Sequence, residues 1–264
     1  SGATETMGVA FNTQESSARL AEHVLENLGI SAENIEEIQQ VSVERLQEAA
    51  TLALQQTGEE LQIPAALGDA YSMDWEPVID GDFLPTNPVT EDSFANVGKN
   101  IPLLIGSNLN EWSGYFPADT IALSQELTAA LQEAYPNKPD LTADQVDSTT
   151  IRLPLLKIMS HKADQGGAPV YAYVFTYGNS YHGAEIPYVF CHANENAEEA
   201  ALAKQISQAW IQFARTGTPG AEGLPEWEPY TRESGATMLL DTESRMGYHH
   251  DRDLMALLAP DYVY

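Results

Sequence analysis

The sequence at residues 101–106 reads IPLLIG, a short and continuously apolar run that ends at a glycine. Such a run is typical of a strand that is buried on both faces of a parallel sheet. A second strand of this kind is predicted over Pro169–Phe175, and a third candidate covers Thr237–Leu240. These three strands form the predicted sheet.

Helical patterns lie before, between and after these strands. The spacing of apolar residues predicts helices over Ser16–Leu28, Val43–Leu54, Ala122–Ala134, Thr150–Ala163 and Ala197–Arg215. Strands that alternate with helices indicate an α/β fold with few, mainly parallel strands and many helices.

Two further features bear on the sheet. The segment Trp75–Pro85 has an Asp-Gly turn between short extended arms, which predicts a hairpin-like loop. Three strands are few for this much helix, and strands buried on both faces need covered neighbours. We therefore expect that part of the sheet lies outside this chain.

Composition excludes several classes of partner. The 264 residues are 43% hydrophobic, and 39 Asp and Glu against 12 Lys and Arg give a net charge of -27. This charge repels phosphate backbones and anionic lipids, so we expect neither nucleic acid nor an anionic membrane as a partner. No run approaches the roughly 18 apolar residues of a membrane span. The single cysteine, Cys191, is predicted to be a packed thiol and leaves the compartment open between cytoplasm and periplasm or secretion.

Polar side chains follow the first two predicted strands. Glu111 lies in the loop after the first, and His182 follows the second. Both loops leave the C-terminal edge of the sheet, where α/β proteins place their sites. An imidazole oriented by a carboxylate is a general base, so these two residues are candidate partners. Taken singly, each also fits a plain loop residue, as a solvated carboxylate or a half-buried histidine.

Other catalytic chemistries lack their motifs. There is no H-E-x-x-H and no pair of cysteines, and the adjacent His249 and His250 are predicted to be exposed, so no metal site is expected. No glycine-rich phosphate loop is present, and no cofactor is predicted. The G-x-S-x-G nucleophile elbow is also missing, because in GNSYH at 178–182 the closing glycine is replaced by His182.

In order and wording, these segments resemble the type-B carboxylesterase family, which includes the cholinesterases and bacterial para-nitrobenzyl esterases within the α/β-hydrolase fold. The resemblance extends through nearly the whole chain. It implies that residues 1–264 are the C-terminal half of a single α/β-hydrolase domain whose nucleophile-bearing N-terminal half is absent. The segments that carry it are Ser1–Ala3, Glu76–Gly81, Gly106–Glu111, His182–Phe190, Trp210, Phe213–Pro219 and Leu224–Tyr230.

The family's order of triad residues is serine, glutamate, histidine. The resemblance therefore implies that Glu111 is the triad acid, that His182 is the base, and that the serine lies upstream. It also implies a small-molecule carboxylic ester as substrate, the missing N-terminal half as partner, and no activity of this chain alone. In family members the serine that matches Ser1 lies near the acid, which implies a hydrogen bond from Ser1 to Glu111, although a terminal residue also frays easily.

Three aromatic residues follow the acid. Trp112 stands where the family has a glycine, and Tyr115 and Phe116 are close in sequence. These side chains are candidates for the acyl pocket, and plain core packing is the alternative. Glu185 is expected to be a structural partner of the histidine loop rather than a catalytic group.

Two other functions remain open. One is a cholinesterase-like binding or adhesion module that has lost catalysis, and the other is an independent C-terminal domain whose open sheet edge is covered by oligomerisation. A pure binding module has no need of both Glu111 and His182, so the sequence favours the ester hydrolase.

Overall fold

The computed structural model describes residues 11–65, 70–90, 93–111, 124–142 and 151–261. Described residues up to Pro88 form one compact unit, and those from Val89 onward form a second. In neither unit do these ranges contain a helix long and apolar enough to cross a membrane.

The first unit is built on two packed helices. Helix α1 (Gln14–Leu28) begins after Thr13, whose side chain accepts a hydrogen bond from the backbone N–H of Ser16. Helix α2 (Val43–Leu61) follows a 3-10 helix over Ala32–Gln40. The two α-helices share an apolar core, formed by Leu20, Val24, Leu28, Ala49, Ala53 and Met73.

The predicted hairpin over Trp75–Pro85 is wrong. Strand β1 (Asn12–Thr13) pairs in parallel with β2 (Val78–Ile79), so the extended arm before the Asp-Gly turn has a partner from the start of the chain. The turn itself is present, because the Asp80 carboxylate accepts the N–H groups of Asp82 and Leu84.

The second unit contains a four-stranded sheet in the order β3-β4-β5-β6. Its strands are β3 (Leu103–Asn108), β4 (Val170–Phe175), β5 (Ala236–Leu240) and β6 (Arg245–Tyr248). The first three pair in parallel, and β6 is antiparallel to β5. The α/β class and the three predicted strands are therefore confirmed, while β6 was not predicted.

Helices cover both faces of this sheet. They are α3 (Gln125–Ala134), α4 (Leu153–Asp164), α5 (Ile186–Val189), α6 (Ala197–Thr216) and α7 (Arg252–Leu258), with a 3-10 helix over Asn96–Gly98. Alternate residues of β4 face opposite layers: Val170 and Ala172 pack with α4, whereas Tyr171 and Phe175 pack with α6. This alternation is what a strand buried on both faces requires.

Two side chains lie where the sequence did not place them. Cys191 is exposed rather than packed, because it follows the short helix α5 on the surface. His250 is not exposed: only 4% of its side chain is accessible, and its ring packs edge-on against Tyr135.

His250 lies beside a buried ion pair. Arg152 donates to the Asp251 carboxylate through Nε at 2.7 Å. Burial opposes ionisation of Asp251, but the charges of Arg152 and His250 and the hydrogen bond from Arg152 together outweigh it and hold the pKa of that carboxyl well below its usual range. Burial, helped by the charges of Arg152 and Arg245, lowers the pKa of His250 to about 4, although Asp251 acts in the opposite direction.

We expect His250 to make the protein less stable as the pH falls from 6.5 to 4. An unfolded chain takes up a proton on this imidazole near pH 6.5, whereas the folded protein does so only near its lowered pKa. The unfolded state therefore gains about 3 kcal/mol over the folded state by pH 4. Urea unfolding between pH 7 and 4 measures this loss.

The matched variants are His250→Phe, which removes the buried imidazole, and His192→Phe, which removes an exposed one. His250→Phe should flatten the dependence of unfolding free energy on pH in this window, and His192→Phe should not. Equal slopes for His250→Phe and the unchanged protein would contradict the burial argument.

Candidate active site

Two loops meet at the C-terminal edge of the sheet. The parallel pairing of β3 with β4 places Asn108 opposite Phe175. The pairing continues past the strands, because the N–H of Leu109 donates to the Phe175 carbonyl at 2.9 Å and that of Asn110 donates to the Ser180 carbonyl at 3.1 Å. The loop that follows β3 therefore runs beside the loop that follows β4.

The structure brings Glu111 and His182 together. Their side chains are joined by a hydrogen bond of 2.6 Å between His182 Nδ1 and Glu111 Oε2. A second bond links the backbones, since the N–H of His182 donates to the Glu111 carbonyl at 3.1 Å. Glu111 is 8% exposed, while 44% of the His182 side chain is accessible. The carboxylate is thus held inside and the imidazole lies at the surface.

Glu111 is fixed from its other side as well. The backbone N–H of Asn108 donates to Glu111 Oε1 at 2.8 Å. Among the described residues each carboxylate oxygen has one donor, Asn108 for Oε1 and His182 for Oε2, which restricts rotation of the carboxylate. Because an ionised carboxylate only accepts, His182 Nδ1 must carry the proton of the bond between them.

The loop around His182 is shaped by left-handed backbone conformations. Gly178, Ser180 and Gly183 have φ values of 60, 47 and 79°. Glycine takes this conformation freely, whereas Ser180 does so as a buried residue whose hydroxyl donates to the Tyr177 carbonyl at 2.9 Å. The Ser180 hydroxyl is engaged in shaping the turn, which agrees with the sequence argument that GNSYH is not a nucleophile elbow.

Glu185 lies beside the pair, and Asn108 reaches it. The Asn108 side-chain amide donates to Glu185 Oε2 at 2.6 Å and to the Tyr181 carbonyl at 2.7 Å. Asn108 was not singled out from the sequence. It belongs to the Gly106–Glu111 segment that carries the family resemblance, but no separate role was predicted for it.

Tyr173 is a buried phenol close to Gly106 and to the two glutamates of the site. Its ring lies over Gly106, where any Cβ would collide with the Tyr173 ring and carbonyl. Burial, and then the charges of Glu185 and Glu111, raise the pKa of Tyr173 well above its usual range. The phenol therefore stays neutral, and Gly106 is required for the close approach of the two strands.

Several predicted site residues fall outside the described ranges. These are Ser1, proposed as a partner of Glu111, and the pocket candidates Trp112, Tyr115 and Phe116. Within the ranges that are described, no three or more His, Cys, Asp or Glu side chains are arranged to hold a metal ion.

Comparison with known proteins places the chain in a family. The model of the Carboxylesterase family matches residues 120–256, just over half of the chain. The para-nitrobenzyl esterase of Bacillus subtilis (strain 168) is 30% identical over 271 residues, which cover 92% of this chain and 52% of that protein. The chain therefore spans about half the length of this relative.

Solved structures of esterases also superpose on most of this chain. A PNB esterase superposes with a TM-score of 0.59 at 27% identity, over 93% of this chain and 55% of the other. An esterase from Clostridium hathewayi has a TM-score of 0.64 over 94% and 53% of the two chains, and at 22% identity it supports the fold alone. The chain belongs to the carboxylesterase family and has the α/β-hydrolase fold of its structural relatives.

Proposed function

We propose that this chain is the C-terminal part of a serine carboxylesterase in which Glu111 is the triad acid and His182 the triad base. The nucleophilic serine is supplied by a segment upstream of Ser1. The substrate is a small carboxylic ester, which is cleaved through an acyl-enzyme.

One observation carries this proposal: the 2.6 Å contact between a buried carboxylate and a half-exposed imidazole. The carboxylate keeps the His182 proton on Nδ1, so the lone pair of the neutral ring lies on Nε2. That atom can take a proton from an alcohol, and the Glu111 charge then stabilises the imidazolium that forms.

The chemistry follows in two halves. In the first, the serine oxygen bonds to the ester carbonyl carbon while its proton passes to His182 Nε2, and the leaving alkoxide departs with that proton. In the second, water gives a proton to His182 and attacks the acyl-enzyme. The carboxylic acid is released, and the proton returns to the serine. Glu111 remains ionised throughout.

The sheet edge supports an upstream partner. Among the described residues no strand pairs with the outer edge of β3, which is the strand that leads into the acid loop. An open edge presents unpaired N–H and C=O groups that another strand can satisfy. A strand of the upstream half would cover this edge and bring its own loops to the same rim as Glu111 and His182.

We expect this chain alone to show no hydrolysis of p-nitrophenyl acetate above background, and turnover to appear when it is joined to the upstream half. The missing nucleophile is the reason for both results. A matched control carries the same upstream half with its elbow serine replaced by alanine. Release of p-nitrophenolate measures the hydrolysis rate of the chain alone, of the joined protein and of the alanine control.

The outcomes separate the hypotheses. Ester hydrolysis by a homogeneous preparation of this chain alone would contradict the argument that the chain lacks the nucleophile. A joined protein that folds and binds an ester analogue but does not hydrolyse it supports instead the catalytically inactive, cholinesterase-like binding module.

A further inference from the structure

Asn108 connects the two catalytic loops through all of its N–H groups. Its backbone N–H binds Glu111 Oε1, and its side-chain amide binds the Tyr181 carbonyl and Glu185 Oε2. The three distances lie between 2.6 and 2.8 Å. The residue is only 3% exposed, so these bonds do not compete with solvent.

The acceptors lie on both sides of the base. Tyr181 directly precedes His182, and Glu185 follows it by three residues at the start of α5. One side chain at the end of β3 therefore holds the short segment that carries the imidazole at both of its ends. The backbone N–H of the same residue holds the carboxylate that the imidazole must meet.

The orientation of the Asn108 amide is set by chemistry. Both neighbours of Nδ2 are acceptors, a carbonyl and a carboxylate, so a rotated amide would place Oδ1 against two oxygens. In the observed orientation Oδ1 is buried and has no hydrogen-bond partner among the described residues. An acceptor left in this state costs stability, and an apolar residue at this strand end would avoid that cost.

We propose that Asn108 is a positioning residue that sets the geometry of the Glu111–His182 pair. This inference rests on the proposed function. Rates of proton transfer and attack are sensitive to misplacement on the scale of an ångström. Losing the Asn108 amide removes one hydrogen bond from each end of the His182 segment and leaves the Glu185 carboxylate without this donor.

Asn108→Asp tests the inference in the full-length protein. The change keeps the size of the side chain, removes both amide donors and places a carboxylate against that of Glu185. We expect kcat for p-nitrophenyl acetate to fall about a hundredfold while KM changes less than about threefold, because misalignment affects the transition state rather than substrate binding.

The matched control is Asn179→Asp. Asn179 lies in the same loop, three residues before His182, and is exposed. The substitution adds the same charge without removing a donor from the pair, so kcat should stay within about threefold. Rates are divided by the concentration of folded protein, measured by near-UV circular dichroism, because titration of the serine with an organophosphonate would itself depend on the His182 base.

Exchanging the partners provides a rescue. In the double variant Asn108→Asp with Glu185→Gln, the glutamine amide can donate to the new carboxylate and restore the bond in reverse. We expect kcat to recover at least about tenfold over Asn108→Asp, and Glu185→Gln alone to lose little, since its amide oxygen still accepts from Asn108. A merely structural role would lower the melting temperature but not kcat per folded molecule.

Asn108→Ala removes the donors without adding a charge, and should reproduce the kcat loss if the aspartate variant does not fold. Equal kcat for the Asn108 variants and Asn179→Asp would overturn the inference while a large loss in His182→Ala leaves the proposed function intact. An unchanged rate in His182→Ala would remove the proposed function and this inference together.

Discussion

Replacing His182 by alanine should lower kcat for p-nitrophenyl acetate by about a thousandfold or more in the full-length protein. The imidazole is the side chain that the structure pairs with the buried Glu111 carboxylate, at 2.6 Å. Without it, nothing accepts the serine proton in the first half of the reaction or the water proton in the second. Steady-state release of p-nitrophenolate gives the change.

His192→Ala is the matched control, because His192 lies ten residues further on and is exposed. It should retain kcat within about twofold of the unchanged protein. A His182→Ala variant that folds normally and hydrolyses the ester at the original rate would end the assignment of His182 as base.

Much of the fold could be predicted because its strands are apolar runs. The strand that ends at Phe175 is buried on both faces. IPLLIG at 101–106 is an equally apolar run, although its residues are only partly buried and Ile101 is exposed. Strand β6 was missed because its sequence, RMGY, has no apolar run and its pairing depends on a turn closed by Asp241 and Ser244. Helix α2 was predicted to end at Leu54, yet it continues through Gly58, whose missing side chain allows the backbone of Ser72 to approach.

Some residues of the candidate site could be predicted from the sequence, and others could not. Glu111 and His182 could be predicted because each follows a recognisable strand and carries a side chain with an obvious chemical use. Asn108 could not, since its contacts are with Tyr181 and Glu185, more than 70 residues away. The burial of His250 likewise depends on packing against Tyr135, which no local pattern indicates.

Replacing Glu111 by glutamine should lower kcat by about a thousandfold, through the tautomer of His182. The N–H of Asn108 requires an acceptor where Glu111 Oε1 lies, so the glutamine oxygen takes that place and its NH₂ group faces His182 Nδ1. An amide donor there favours the ring with its proton on Nε2, which cannot act as the base.

The control is Glu133→Gln, an exposed carboxylate of α3, which should leave kcat within about twofold. Neutralising a distant charge in a chain of net charge -27 tests whether the overall field matters. If Glu111→Gln and Glu133→Gln lowered kcat equally, the overall charge of the chain would explain the loss, and the contact between Glu111 and His182 would not.

The double variant Glu111→Gln with His182→Ala tests most directly whether the two side chains act as one unit. Once the imidazole is gone, the carboxylate has no proton carrier left to orient, so kcat per folded molecule should lie within about threefold of His182→Ala alone. A further loss of about a thousandfold, the product of two independent effects, would contradict the pairing of Glu111 with His182.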